Sequence, residues 1–193
     1  MAIYLGPNSG TNISTSTVGW VKIIQVTGGS TISSISHDDL PSSTYRAINI
    51  IGAWLPVDDG VHLNFYFRDG GSDLVANKYS TGQRIAYPDD NIYAESHQNQ
   101  GRMEIAQNCG NVSGEGHRFN ITYFPYVSGE AGNTDMFNWA FWDAIRIDQN
   151  GNFRSIGGTG WYDVGDQECN GFKLDQTSGQ FNDYTYSVYG LLK

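Results

Sequence analysis

Four tryptophans, Trp54, Trp139, Trp142 and Trp161, are the side chains of this chain best suited to recognising a ligand, because an exposed indole stacks on the apolar face of a sugar ring. Together they form a candidate glycan platform. The competing assignment is structural, since Trp in a β-rich domain of this size commonly packs in the core or at a subunit interface. Asp143, Asp163, Asp166 and Glu168 stand close to these aromatics in the sequence and are the residue types of a two-carboxylate glycosidase. With 20 acidic residues in the chain, however, such proximity is expected by chance. No Gly-x-Ser-x-Gly elbow and no phosphate-binding glycine loop occurs. The residues therefore nominate no catalytic set, and the expectation is a protein that is not an enzyme.

Metal chemistry is equally unsupported. His37, His62, His97 and His117 are scattered without ligand-like neighbours, and His62 falls on the outward side of its strand as a solvated imidazole. Asp69-Gly-Gly-Ser-Asp73 and Asp148-Gln-Asn-Gly-Asn152 offer oxygen ligands for calcium. Both lack the distal bidentate Glu, and Asp, Asn and Gly are also what a tight turn requires. Cys109 and Cys169 have neither zinc nor redox-pair spacing, and two free thiols are expected. No cofactor is implied.

The elements that must hold these residues are strands. Val61-His-Leu-Asn-Phe-Tyr-Phe67 sends Val61, Leu63, Phe65 and Phe67 to one side and His62, Asn64 and Tyr66 to the other, the period of two of a half-buried strand. Tyr45 to Leu55 reads as a long central strand ended by Pro56. Met136 to Ile147 is the most hydrophobic run, and its aromatics and flanking Gly-Asn turns favour strand over helix. Trp20 to Val26 with Thr31 to Ile35 makes a hairpin or a β-corner. Gly171 to Gln176, the turn Ser178-Gly179 and Tyr184, Tyr186 and Val188 read as a closing hairpin. Residues 80–116 are the least legible, with Ser96 to Gly101 loop-like and Met103 to Gln107 a short strand, and a long polar surface excursion is expected there. About ten strands imply an all-β, antiparallel, jelly-roll-like β-sandwich.

Residues 1–17 differ from the rest. They hold a Gly/Ser/Thr/Asn-rich stretch with an apolar tip at Ile3, Tyr4 and Leu5. The division is an extended N-terminal arm, 1–17, and a sandwich domain, 18–193, with the tip as the partner-binding part of the arm. The balance of 11 basic against 20 acidic residues, a net charge of −9, opposes phosphate backbones and anionic lipid, so nucleic acid and membrane are poor partners. No apolar run approaches the length of a spanning helix and no signal-peptide pattern opens the chain, which implies synthesis in a cytoplasm.

Several segments taken in order, Leu40-Pro-Ser-Ser-Thr-Tyr-Arg-Ala-Ile-Asn-Ile-Ile-Gly, Leu63-Asn-Phe-Tyr-Phe-Arg-Asp-Gly-Gly-Ser-Asp, Gly171-Phe-Lys-Leu-Asp, Ser178-Gly-Gln-Phe and Tyr186-Ser-Val-Tyr-Gly-Leu, resemble a family of tailed-bacteriophage virion proteins. Its members are capsid decoration, head-fibre or tail-fibre components that share a β-sandwich domain. The resemblance implies a non-enzymatic structural protein and carries over no catalytic residues. The short segment before the domain suits a decoration or cement protein on the capsid exterior, bound to the major capsid protein as a homotrimer. The alternative is a fibre module that recognises host surface glycan.

Overall fold

A computed structural model describes residues 19–29, 31–87, 91–113, 115–126, 137–165 and 167–193. The arm tip Ile3, Tyr4 and Leu5 and the carboxylate Asp166 lie outside the described residues. Among the described residues thirteen strands follow one another: β1 (Trp20–Gly28), β2 (Ser34–His37), β3 (Tyr45–Pro56), β4 (Val61–Asp69), β5 (Ser72–Asp73), β6 (Tyr79–Ala86), β7 (Ile92–Gln100), β8 (Met103–Cys109), β9 (His117–Phe124), β10 (Asn138–Ile147), β11 (Phe153–Tyr162), β12 (Gly171–Gln176) and β13 (Phe181–Leu192). All pairings are antiparallel.

The strands form two sheets. The larger has the order β1-β13-β3-β9-β10-β11-β6-β7, and the smaller runs β2-β12-β4-β5 with β8 also paired to β4. The architecture is the expected all-β sandwich. Its sheets of eight and five strands depart from an eight-stranded double-sheet jelly roll.

Period-two patterning decides which side chains meet between the sheets. In β9 every second residue, His117, Phe119, Ile121 and Tyr123, is buried, and β10 buries Asn138, Ala140, Trp142, Ala144 and Arg146. Tyr123 of the larger sheet lies 5.8 Å from both Phe65 and Phe67 and 6.3 Å from Phe172 of the smaller one. These four rings are the centre of the core. Burying one such side chain contributes about 1.5–3 kcal/mol. A polar tie also crosses the sandwich, where His37 on β2 meets the Tyr186 hydroxyl on β13 at 2.8 Å.

Two local expectations change, and a third that was left open between hairpin and corner is decided. The segment from Gly171 to the end is not a hairpin: β12 pairs with β2 and β4 in one sheet, while β13 is inserted between β1 and β3 in the other. The turn at Ser178-Gly179, with Gly179 at φ +71°, carries the chain across the sandwich instead of folding it back on itself. β1 and β2 likewise belong to different sheets, so the first strands make a corner. The polar excursion expected over residues 80–116 consists of β6, β7 and β8. β7 is an edge strand exposed along nearly its whole length, which leaves no apolar alternation to read.

Candidate functional site

The two solvent-facing sides of the sandwich have different chemistry. On the smaller sheet the outward residues satisfy one another. Arg68 binds the carboxylates of Asp38, at 2.6 Å, and of Asp73. Lys173 holds Asp73 at 2.8 Å and Asp175 at 3.2 Å, and Asn64 donates to Asp175 at 3.0 Å. The hydrogen bond to Asp38 and the two nearby carboxylates raise the Arg68 guanidinium above its ordinary pKa. Asn64, expected on the outside, is covered and only 1% exposed. His62 is not freely solvated either, since Nδ1 lies 3.4 Å from Glu104 and Nε2 3.3 Å from the Asn108 amide oxygen.

The larger sheet presents the reverse. On β10 the odd-numbered side chains point outward, and Trp139, Phe141 and Ile145 are 37–49% exposed around Asp143. Register then aligns further apolar groups beside them. Trp139 stands opposite Trp161 of β11 with ring centroids 5.2 Å apart, and Phe141 meets Phe124 of β9 edge-on at 5.9 Å. Trp20 of β1, Ile51 of β3, Ile92 of β7 and Phe153 of β11 extend the exposed apolar surface. Apolar residues scattered singly are normal on a monomer, whereas these gather on one face of one sheet.

Within this face runs a trough. Outward positions of β11 are large at both ends, Phe153 and Trp161, and small between them, Ser155, Gly157 and Thr159, with Gly82 of β6 lying beside Thr159. The resulting groove has a volume of about 510 Å³ and is lined by Arg84, Asn120, Thr122, Phe141, Asp143 and Gly157, among others. Asp143 and Arg84 flank Gly157 in one cross-strand row, and neither makes a side-chain hydrogen bond or ion pair with any described residue. At the trough margin Asn49 donates to Asn120 Oδ1 at 2.6 Å and to Thr122 Oγ1 at 2.8 Å, which leaves the Asn120 amide nitrogen turned to other uses.

The structure divides the four candidate tryptophans. Trp139, exposed, and Trp161, half-buried, form one pair on the outer side of the larger sheet. Trp54 and Trp142 are each 2% exposed and belong to the core, contrary to the expectation that all four face solvent. Parity is the reason for Trp142: it is three residues from Trp139, so the two point to opposite sides of β10. Trp54 packs on His117 at 4.9 Å and on Phe181 at 5.7 Å. Phe124, Phe141, Arg84 and Asn120 were not singled out by the sequence. The signal for Phe141 was available, since it shares the parity of Trp139, whereas Arg84 is brought to Asp143 by sheet order alone.

Of the nominated carboxylates, Asp143 and Asp163 do not converge. Asp163 directly follows β11 and lies six residues beyond Gly157, the partner of Asp143, a separation of about 20 Å along the strand. A hydrolytic pair requires roughly 5–9.5 Å. Both candidate calcium loops are turns. Gly70 and Gly71, both at positive φ, join β4 to β5 with Asp69 opposite Ser72. Asp148 accepts from the Asn150 and Asn152 amides at 2.9 Å each and from Arg154, and these bonds hold its carboxyl below the usual range although burial works against them. His117 is a core histidine: Nε2 meets the Gly110 carbonyl at 2.7 Å, and Nδ1 accepts from the Ile147 amide at 3.4 Å. Cys109 and Cys169 are free and buried, and burial pushes each thiol up to about 12. Among the described residues no group of three or more His, Cys, Asp or Glu is placed to hold a metal ion.

The geometry thus defines an all-β sandwich with one polar, self-satisfied face and one apolar face bearing a groove. No protein-family model matches the chain, and no curated protein matches it. Three solved structures that align with it come from virus particles. The infectious bursal disease virus Gx strain gives 12% identity and a TM-score of 0.17, with all of this chain and 46% of that one covered. The T=1 particles derived from infectious bursal virus give 14% and 0.16, and the infectious bursal disease virus VP2 subviral particle 15% and 0.14, each with all of this chain and 41% of the other covered. This chain spans less than half the length of those capsid chains, and overlaps at such TM-scores carry no argument about fold or function.

Proposed function

We propose that this chain is a non-enzymatic structural protein of a bacteriophage virion, a decoration or cement protein that sits on the capsid exterior as a homotrimer bound to the major capsid protein. The observation that carries this reading is the exposed apolar face of the larger sheet. Water against Trp20 and Ile51 is costly, and a partner surface that covers them recovers the hydrophobic free energy the isolated chain forgoes. The segment resemblance supplies the kind of assembly.

The half of the face formed by β1, β13 and β3 suits protein contact best. There Trp20, Ile51 and Tyr189 line an open apolar depression of about 330 Å³. It lies at the edge of the sheet that β1 forms. The test is cosedimentation of the full chain with purified shells that lack it. The expected result is saturable binding at a fixed number of copies per particle, abolished in the double variant Trp20→Ser, Ile51→Ser and weakened by deletion of residues 1–17. Undiminished binding of the double variant would refute the assignment of this face, and failure of the unmodified protein to bind any shell would refute the virion role.

A further inference from the structure

The trough along β11 lies on the other half of the larger sheet, beyond the surface assigned to protein contact, and its chemistry is specific. Its floor is low because Ser155, Gly157 and Thr159 replace the large residues found at either end of the strand. Two opposite charges, Asp143 and Arg84, stand two strands apart on either side of Gly157, about 10 Å between their Cα atoms, and both lack a partner among the described residues. Phe141 offers a half-exposed aromatic surface on one wall, and the Trp139–Trp161 pair stands at one end.

The ligand class follows by elimination. An extended peptide binds a sheet by adding to a free edge, and β11 is hydrogen-bonded on both sides by β10 and β6. A phosphate or polyanion attracted to Arg84 meets Asp143, and a cation attracted to Asp143 meets Arg84. The chain's net charge of −9 further opposes a polyanion. A purely apolar ligand would leave both charges desolvated and unpaired, at a large cost. A hydroxyl-rich neutral ligand fits all parts: its hydroxyls donate to the carboxylate, accept from the guanidinium and the Asn120 amide, and its C–H faces lie on aromatic rings. The volume of the trough is that of a small-ligand site.

We infer that this trough is a binding site for a neutral oligosaccharide lying along β11, with Phe141 under a sugar ring and Asp143 and Arg84 on its hydroxyls. The probe is a printed array of neutral and acidic glycans incubated with the full chain, followed by calorimetric titration with the neutral oligosaccharide retained most strongly. The expected result is retention of neutral glycans, with affinity reduced at least about tenfold in Asp143→Ala and in Phe141→Ala. Gly157→Val, which fills the floor and presses on Asp143 Oδ1, 3.3 Å from the added Cβ, abolishes binding. Lys22→Ala, on the same face but away from the trough, leaves it unchanged, and all four variants keep the melting temperature of the parent. An array on which no neutral glycan is retained, or an affinity that survives Asp143→Ala and Phe141→Ala, would overturn the site. Shell cosedimentation separates this inference from the virion role: Asp143→Ala should decorate shells normally while losing sugar affinity, and an unmodified chain that decorates shells but retains no neutral glycan refutes the oligosaccharide site alone.

Discussion

Gly158→Ala is the sharpest test of how β10 and β11 are packed, and so of which tryptophans remain available for binding. Gly158 faces inward on β11, directly opposite Trp142. A Cβ there would lie 2.2 Å from Trp142 Cζ2, 2.3 Å from Cε2 and 2.8 Å from Nε1. Ordinary contact begins near 3.4 Å, so the indole must move by about 1 Å or β11 must be displaced. Neither is easy, because the ring is rigid and 2% exposed and β11 is paired on both sides. Overpacking of this kind costs typically 1–3 kcal/mol, and this site belongs at the upper end, about 2–3 kcal/mol. In a domain of this size that lowers the melting temperature by about 4–12 °C. The control is Gly82→Ala on the neighbouring strand β6, whose added methyl meets nothing within 4 Å and should leave the melting temperature within about 2 °C. The assay is paired thermal denaturation of the two variants by circular dichroism, with Trp142→Phe added to Gly158→Ala to relieve part of the clash. Equal melting temperatures for Gly158→Ala and Gly82→Ala would show that Trp142 is not seated against Gly158, and the division between buried and exposed tryptophans would fall with it.

Two further outcomes follow from buried titratable groups. Burial lowers the imidazoles of His117 and His37 below their ordinary value of 6.5, so each binds a proton more readily unfolded than folded. Their contribution to stability is complete above that value and is lost as pH falls from it toward the folded-state pKa; the melting temperature should therefore drop between pH 7.5 and pH 5.0, less so in His117→Gln, and a flat profile would refute the neutral buried state. With both thiols pushed up to about 12 and buried, iodoacetamide at pH 8 should leave Cys109 and Cys169 unmodified in the native protein and alkylate both in denaturant, whereas mass spectrometry showing rapid native modification would contradict their burial.

Much of the architecture was legible because period two is a local property. β4 and β10 declare their faces in a few residues each, and the Asp/Asn/Gly stretches at 69–73 and 148–152 are turns for the reasons their side chains suggest. β7 was illegible because both its faces are exposed at the sheet edge, so no apolar alternation was selected. The last two strands were read as a hairpin because a turn such as Ser178-Gly179 reverses the chain equally well within one sheet or between two.

The candidate site divides along the same line. By itself the sequence determined that the chain is all-β, acidic, rich in exposed-type aromatics and without a catalytic motif, and the parity of Trp139, Phe141 and Asp143 already placed them together on one side of one strand. Only the tertiary structure decided that this side faces water, that Trp54 and Trp142 belong to the core, and that Arg84 comes to stand across Gly157 from Asp143. The physical reason is that side-chain alternation is fixed by the backbone of a single strand, whereas neighbours across a sheet are fixed by hydrogen-bond pairing between segments distant in the chain, which β9, β10, β11 and β6 establish only when the whole sandwich closes on its core.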